Sequence, residues 1–273
     1  MTLDALPPLR DVLAAADIGA DKRFGQHFLF DLNICRKIAR LAGPLDGRGV
    51  IEVGPGPGGL TRALLEAGAR VVAVERDRRF APILADLAKA SGGRLTVVQA
   101  DALSVDETAL AGAPTAIVAN LPYNVGTPLL VKWLTGSFRP TAMTLMFQKE
   151  VALRIVAAPG GGDYGRLAVL VQALCETRIV MDLPARAFTP PPKIASAVVR
   201  LIPRAERPPA DLIASLHTVT QAAFGQRRKM LRSSLRELGG EALCASVGID
   251  SDARAQTVPV AGFLALARAI SGA

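Results

Sequence analysis

The feature that most constrains the fold is a glycine-rich turn between an apolar run and a helical pattern. It reads Val50-Ile51-Glu52-Val53-Gly54-Pro55-Gly56-Pro57-Gly58-Gly59-Leu60. Glycines let the backbone approach a ligand closely, and the N-terminus of a helix offers free N–H groups. Gly54, Gly56 and Gly59 match the dinucleotide-binding fingerprint, which is weak evidence when it stands alone. The turn predicts a strand–turn–helix unit that binds an adenosine-containing cofactor, with an ordinary tight turn as the alternative.

Apolar, β-rich runs alternate with helical patterns around this turn. We predict strands over Gly49–Val53, Arg70–Glu75, Arg94–Gln99, Thr115–Ala119, Met143–Gln148, Glu176–Leu183 and Ala195–Ile202. The helical patterns between the early strands cover Leu60–Ala67, Arg79–Ala90 and Pro128–Leu134. This alternation indicates an α/β fold with a mostly parallel sheet and helices on both faces. The last two strands are joined by the Pro-rich segment RAFTPPPK without a helix, which predicts an antiparallel pair.

The pattern changes to helix alone in the last quarter of the chain. Prolines at 203, 208 and 209 interrupt a polar linker after the last predicted strand. Helical patterns follow over Leu212–Phe224, Lys229–Leu238, Glu241–Ser246 and Val260–Ser271. We therefore predict two domains, an α/β domain over residues 1–205 and a small all-α domain over residues 206–273.

The composition indicates a basic, globular chain. Half of the residues are hydrophobic, and 32 Lys and Arg residues against 24 acidic ones give a net charge of +8. Only seven of these cations are Lys. An Arg-rich surface suits bidentate contacts to phosphate, although a GC-rich genome would produce the same bias.

The cysteines and the N-terminal sequence indicate the cellular compartment in which the protein acts. Cys35, Cys175 and Cys244 are odd in number and form no CxxC pair, which argues against a disulfide framework or a zinc site. The N-terminus has charges at Asp4 and Arg10 where a signal peptide would need an apolar run. No stretch reaches the roughly 18 apolar residues of a membrane span. We expect a cytoplasmic protein with no bound metal and no membrane partner.

Polar side chains lie at the ends of the predicted strands. Glu75 ends the second strand, Asp101 follows the third and Asn120 follows the fourth. Because the carboxyl ends of strands in an open α/β sheet line the ligand crevice, we expect these three residues and Gly54 in one cleft. Glu75 is placed to accept hydrogen bonds from ribose hydroxyls, and Asp101 to accept one from an adenine amino group. The glycine turn and Glu75 alone leave NAD and S-adenosylmethionine open as the cofactor, and Asp101 and the residues at the end of the fourth strand separate the two.

The sequence Asn120-Leu121-Pro122-Tyr123 favours methyl transfer to an amine over hydride transfer. The exocyclic amine of adenine is a poor nucleophile because its lone pair is delocalised into the ring. The Asn120 side-chain oxygen and the Leu121 carbonyl can accept hydrogen bonds from both N–H groups and direct that lone pair at the methyl group. Pro122 stiffens the turn, and Tyr123 offers a face for stacking of an extruded base. A strand-end turn with a capping Asn and a packed Tyr is the alternative.

Several motifs together resemble the ribosomal RNA adenine dimethyltransferases, and within that family the small-subunit enzymes. In chain order they are RFGQHFL (23–29), IEVGPGPGGLT (51–61), NLPYN (120–124), FQKEV (147–151), DYGRL (163–167), FTPPPKIASAVV (188–199) and FGQRRK (224–229). The match runs in order from about residue 22 to residue 236, and the joint occurrence of these motifs is highly specific.

The resemblance implies a fold, a reaction and a set of site residues. The implied fold is a Rossmann-like, seven-stranded S-adenosylmethionine-dependent methyltransferase sheet with a helical C-terminal domain. The implied reaction is dimethylation at N6 of two adjacent adenines in the 3′-terminal hairpin of 16S rRNA, within a pre-30S particle. By position, the implied cofactor residues are His27, Leu29, Gly54, Gly56, Glu75, Asp101, Ala102 and Asn120.

Three further groups of residues are assigned by the same resemblance. The target adenine is bound by Asn120, Leu121, Pro122 and Tyr123, and Phe188 covers its other face. The family usually has Asn at the position of His27. RNA contact is implied for Arg227, Arg228, Lys229 and Arg232, whose alternative is a solvated helix face. Without the resemblance, Phe188 reads as a core residue that plugs its loop onto the sheet.

Two other functions compete with the small-subunit enzyme. One is the related 23S rRNA adenine methyltransferase of the large subunit, which confers macrolide resistance. The other is a mainly non-catalytic factor that checks small-subunit assembly. The FGQRRK and FTPPPKIASAVV motifs favour the small-subunit enzyme, and the intact set of site residues argues against lost catalysis. Nothing in the sequence requires more than a monomer.

Overall fold

The computed structural model describes residues 2–112, 115–226 and 228–272. Its strands are β1 (Phe28–Leu29), β2 (Gly49–Val53), β3 (Arg70–Glu75), β4 (Leu95–Gln99), β5 (Thr115–Asn120), β6 (Met143–Gln148), β7 (Cys175–Leu183), β8 (Phe188–Thr189) and β9 (Ser196–Pro203). Its helices are α1 (Leu9–Ala15), α2 (Leu32–Leu41), α3 (Gly59–Glu66), α4 (Ala81–Ala90), α5 (Glu107–Leu110), α6 (Gly126–Thr135), α7 (Lys149–Val156), α8 (Arg166–Leu174), α9 (Ala210–Gly225), α10 (Leu231–Ser234), α11 (Gly240–Ser246) and α12 (Val260–Ser271).

In the described part of the chain, seven strands form one sheet in the order β4-β3-β2-β5-β6-β9-β7. Strands β2 to β6 pair in parallel, and β9 runs antiparallel to β6. These are the seven predicted strands, and their ends lie within one residue of the predicted ends. The predicted Rossmann-like α/β class is confirmed. The chain order reverses between β2 and β5, which places a ligand crevice at the carboxyl ends of these strands.

The central strands explain why the sheet forms. Val50 and Ile51 in β2 and Ile117 and Val118 in β5 are fully buried. Strands of a parallel sheet are covered by helices on both faces, so they read as continuous apolar runs instead of alternating ones. The apolar sequences of these strands therefore specify central positions in the sheet.

A second, two-stranded pairing was not predicted from the sequence. β1 pairs antiparallel with β8, with Phe28 opposite Thr189 and Leu29 opposite Phe188. Strands of two residues carry no measurable hydrophobic period, so the sequence offers no signal for them. The pairing joins the N-terminal segment to the Pro-rich segment that precedes β9.

Contacts divide the chain into two compact units. One comprises Met1–Ala152 with Ile179–Ile202, and the other comprises Leu153–Arg178 with Pro203–Ala273. The predicted C-terminal domain, residues 206–273, lies inside the second unit, which also includes residues 153–178. The domain division after residue 205 therefore stays a prediction.

The second unit has an apolar core of its own. Phe263 in α12 and Val219 in α9 are fully buried, and the rings of Phe224 and Phe263 stack with centroids 5.4 Å apart. Tyr164 packs edge-on against Phe224 and donates its hydroxyl proton to the Val258 carbonyl at 2.9 Å. The DYGRL motif thus packs against the C-terminal helices through its tyrosine.

One predicted helix, Lys229–Leu238, is wrong as a single element. The chain there forms the short helix α10 and then a 3₁₀ turn over Arg236–Leu238. The backbone N–H groups of Leu231 and Arg232 donate to carbonyls of residues 253 and 251. Met230 is extended, with a ψ of 154°, and forms an isolated antiparallel bridge with Arg254, so the helix begins only at Leu231. Among the described residues, no helix is both long and apolar enough to cross a bilayer.

Candidate active site

One cavity at the carboxyl ends of β2 to β5 brings the predicted cofactor residues together. It is lined by His27, Leu29, Gly54, Gly56, Glu75, Asp101, Ala102 and Asn120. Leu121, Pro122 and Tyr123 line the same cavity. The strand ends and the N-terminal segment therefore converge as the sequence predicts.

The glycine turn requires backbone conformations that other residues rarely adopt. Gly54 and Gly56 have φ angles of 67° and 54°, in the left-handed region that favours glycine. A Cβ at Gly54 would lie 3.4 Å from the Pro122 ring, and one at Gly58 would lie 2.7 Å from Leu87. The turn is therefore packed directly beside the Asn120–Tyr123 segment, and α3 begins immediately after it.

Glu75 is a buried carboxylate that shapes the cavity. Its side-chain oxygens accept hydrogen bonds from the backbone N–H groups of Gly56 at 3.0 Å and Asp77 at 2.7 Å. Burial raises the pKa of Glu75, and these two hydrogen bonds oppose that rise. Each carboxylate oxygen has a second lone pair, so Glu75 can hold the glycine turn and still accept from ribose hydroxyls.

Asp101 lies in the loop after β4. Its Oδ1 accepts a hydrogen bond from the Leu103 backbone N–H at 3.0 Å, and its Oδ2 pairs with Arg76 Nη1 at 3.2 Å. The Arg76 guanidinium also lies over the Phe24 ring, 6.0 Å from its centroid. Arg76 and Phe24 line the cavity too. The sequence reasoning missed Arg76, although its position directly after Glu75 was a usable signal.

Asn120 and Leu121 offer two acceptors at the end of β5. The Asn120 Nδ2 donates to the His27 carbonyl at 3.4 Å, which orients the amide. Among the described residues, no group donates a hydrogen bond to the Asn120 Oδ1 or to the Leu121 carbonyl. The backbone N–H groups of Val125 and Gly126 donate to the Pro122 carbonyl, both at 3.1 Å, and so hold the turn. The two acceptors are therefore available to an amine.

Tyr123 is held from two sides. Its hydroxyl forms a 2.6 Å hydrogen bond with Ser196 Oγ, and its ring stacks on the His27 ring at a centroid distance of 5.3 Å. His27 Nδ1 lies 2.8 Å from the Pro190 carbonyl oxygen. Burial raises the pKa of Tyr123, so its phenol is neutral near pH 7. His27 covers one face of the ring.

Phe188 is the one predicted adenine contact that does not line this cavity. Its side chain is 3% exposed, and it lies opposite Leu29 in the β1–β8 pair. In this structure it packs in the apolar core. Its role in covering the target base stays a prediction. Contact between Phe188 and the base would require the β8 segment to move.

Glu52 is a second residue that the sequence reasoning did not assign to the site. It lies in β2 two residues before Gly54, lines the cavity and is 1% exposed. Its Oε2 has no hydrogen-bond partner among the described residues. Burial raises its pKa to about 8, a nearby Thr61 hydroxyl opposes that rise, and Glu75 adds a smaller contribution. A buried carboxyl oxygen beside a ligand cavity is a group that a hydrogen-bond donor of the ligand would satisfy.

Comparison with known proteins identifies the family. The family model described as ribosomal RNA adenine dimethylase matches residues 19–271. The chain belongs to this family. It is 66% identical over 270 residues, or 98% of this chain and 94% of the relative, to ribosomal RNA small subunit methyltransferase A of Phenylobacterium zucineum. It is 67% identical over 253 residues, or 93% and 98% of the two chains, to the protein of the same name from Caulobacter vibrioides.

Solved structures of a dimethyladenosine transferase and of a 23S rRNA methyltransferase share the fold. A dimethyladenosine transferase from Plasmodium falciparum superposes with a TM-score of 0.75 at 25% identity, covering 88% of this chain and 96% of the other. The 23S rRNA methyltransferase ErmE superposes with a TM-score of 0.69 at 28% identity, covering 89% and 99%. The predicted family, fold and enzyme class, an S-adenosylmethionine-dependent rRNA adenine methyltransferase, are confirmed.

The residues of the cavity fit the methyl donor of this family, S-adenosylmethionine. Glu75 and Asp101 supply acceptors for hydroxyl and amino groups, and Glu52 adds a buried carboxyl oxygen without a partner among the described residues. These acceptors match the hydroxyl and amino groups of such a ligand.

The predicted RNA contacts lie in the second unit. Lys229, Arg232 and Arg236 line an open cleft together with Glu237 and Glu241. Helix α9 ends at Gly225, and Arg228 and Lys229 lie exposed in the segment before α10. Arg232 pairs with Asp252 at 3.0 Å. Arg227 lies outside the described residues.

Proposed function

We propose that this chain transfers methyl groups from S-adenosylmethionine to N6 of two adjacent adenines in the 3′-terminal hairpin of 16S rRNA. The observation that carries the proposal is the pair of available acceptors, Asn120 Oδ1 and the Leu121 carbonyl, at the rim of the cavity that contains Glu75 and Asp101. An adenine amine has two N–H groups, and two fixed acceptors match them. The chain acts in the cytoplasm, as a monomer, on a pre-30S particle.

The chain's own residues act by positioning. Hydrogen bonds to Asn120 and Leu121 draw the amine towards tetrahedral geometry and direct its lone pair into the cavity. Tyr123, held by Ser196 and His27, supports the extruded base by stacking. When bound, S-adenosylmethionine supplies an electrophilic methyl group and its own leaving group. Positioning therefore carries most of the rate. No general base acts before the transfer, and the methylated amine, which becomes cationic, then loses one proton to water.

Similarity supports the small subunit as substrate over the large one. Relatives at 66% and 67% identity carry the small-subunit name, whereas ErmE, named for 23S rRNA, shares 28%. The deciding experiment is incubation with labelled S-adenosylmethionine and either unmethylated 30S or 50S subunits, followed by mapping of the modified nucleotides. Label in two adjacent 16S adenines is expected, and label confined to 50S subunits would contradict the proposal.

Glu75→Ala should weaken binding of S-adenosylhomocysteine by about 1.5–3 kcal/mol, the usual cost of a lost charge-assisted hydrogen bond. The variant also frees the Gly56 N–H that Glu75 now binds. Calorimetric titration measures the change. Glu66→Ala, which removes a carboxylate paired with Arg36 on α2, serves as the control. Unchanged affinity in a folded Glu75→Ala protein would remove Glu75 from the site.

Arg228→Ala/Lys229→Ala should reduce affinity for the 30S particle without changing cofactor binding. Both side chains are exposed, and neither pairs with an acidic group among the described residues. If each meets a phosphate, the slope of log affinity against log salt should shrink by up to about 2 units. Lys89→Ala, which removes an exposed cation paired with Asp86, is the control. An unchanged slope would mean that these cations form only a solvated surface.

A further inference from the structure

A partly buried cation in α6 binds the loop that follows β4. Lys132 Nζ donates hydrogen bonds to the carbonyls of Ala102, at 2.8 Å, and Val105. It also pairs with Glu107 Oε1 at 2.8 Å, and the Glu107 side chain is only 5% exposed. All three donor positions of the ammonium group are therefore used, two by carbonyls of the loop and one by the first residue of α5.

The acidic partner of Lys132 is itself fixed by a second donor from α6. Trp133 is 1% exposed, and its indole N–H donates to the same Glu107 oxygen at 2.7 Å. A largely buried pair whose ammonium donors are all used holds one geometry, and removal of the cation leaves Glu107 as a costly unpaired charge. Lys132, Trp133 and Glu107 thus form a rigid connection between α6 and the start of α5.

This connection holds the adenine end of the cavity. The loop that Lys132 binds begins with Asp101 and Ala102, which line the cavity. Helix α6 begins at Gly126, shortly after the Asn120–Tyr123 turn. One helix therefore follows the proposed base-binding turn and also carries the cation that secures the loop with the proposed adenine acceptor.

We propose that Lys132 is a positioning residue that sets the preference of the cofactor site for a 6-aminopurine. It acts through the Ala102 and Val105 carbonyls, which keep Asp101 where it can accept a hydrogen bond from the 6-amino group. It touches neither the methyl group nor the target base. The inference rests on the proposed role of Asp101.

Lys132→Met tests this with two ligands, S-adenosylhomocysteine and the analogue that has hydrogen in place of the 6-amino group. Binding of the amino compound should weaken by about tenfold, the size of one well-placed hydrogen bond. Binding of the analogue should change by less than about twofold, so the preference between the two ligands should disappear. The KM for S-adenosylmethionine should rise while kcat stays near its original value. A merely structural role would weaken both ligands equally.

A second variant guards against misfolding, because Lys132→Met leaves Glu107 without its cation. Lys132→Met/Glu107→Gln removes both charges and keeps an acceptor for the Trp133 indole, and it should show the same loss of preference. Arg94→Met is the matched control. Arg94 also donates to backbone carbonyls, those of Ser91 and Leu65. It lies directly before the amino end of β4, at the end of the strand away from Asp101, so its loss should leave the preference for the amino compound intact.

Asp101→Ala separates failure of this inference from failure of the proposed site. If Asp101→Ala abolishes the preference for the amino compound and both Lys132 variants retain it, Lys132 does not position Asp101, and the site stands. If Asp101→Ala retains the preference, Asp101 is not the adenine acceptor, and the inference about Lys132 is overturned with it.

Discussion

Asn120→Ala should lower the rate of methyl transfer by on the order of a hundredfold or more, while affinity for the 30S particle stays nearly unchanged. The Asn120 side-chain oxygen is held at the cavity by the hydrogen bond from its Nδ2 to the His27 carbonyl. It should matter most as the amine becomes tetrahedral, so its loss acts on the transition state. Phosphate contacts dominate affinity for RNA, and this variant leaves them in place. Single-turnover transfer and particle binding, measured side by side, test the separation.

Two variants control for nonspecific effects of this change. Asn33→Ala removes the same side chain from an exposed position on α2 and should transfer at the original rate. Tyr123→Phe keeps the stacking ring and loses the hydrogen bond to Ser196, so it should retain much of the activity, whereas Tyr123→Ala should not. Near-normal transfer by a folded Asn120→Ala protein would contradict the proposed role of the amide.

Glu52→Gln should make the cofactor-free protein more stable at alkaline pH. Its free energy of unfolding should also depend less on pH than that of the original protein. The folded-state pKa of Glu52 is raised from 4.5 to about 8 by burial. A carboxyl with a raised folded pKa disfavours the native state progressively as pH rises from about 4.5 to about 8, because its ionised form is desolvated in the fold. The full shift corresponds to on the order of 5 kcal/mol. The glutamine side chain has nearly the same shape and does not ionise.

The measurement is the free energy of unfolding by urea between pH 4 and pH 9, without cofactor. The stability of the variant relative to the original protein should rise across about pH 4.5–8 and level off above about pH 8. Glu150→Gln, which removes an exposed carboxyl on α7, should show no such trend. A pH-independent difference for Glu52→Gln would mean that Glu52 ionises normally inside the fold.

The candidate site shows where sequence reasoning succeeds. Glu75, Asp101 and Asn120 each lie at or just after the end of a strand that the apolar pattern identifies. Parallel strands deliver their carboxyl ends to one edge of the sheet. Once the strands were assigned, convergence of these residues followed from topology alone. Strand-end position also predicts that Arg76 and Glu52 lie near the cavity. It does not predict which groups their side chains contact.

Other features depended on contacts between residues far apart in the chain. The two-residue pairing of β1 with β8 carries no period, and it buries Phe188 beside Leu29. The stacking of His27 on Tyr123 joins segments separated by almost a hundred residues. Neither arrangement has a local signal, because each is selected by packing among elements that must first be assembled.

The sequence by itself determined the seven strands of the sheet, its mostly parallel character and the strand-end residues Glu75, Asp101 and Asn120 at the cavity, because hydrophobic period and strand-end position are local properties. The tertiary structure decided the pKa values and the fixed positions of side chains in and around the cavity. Burial raises the pKa of Glu52, and the Lys132–Glu107 pair secures the loop after β4. Desolvation and buried ion pairs depend on everything packed around a group, so only the assembled protein determines them.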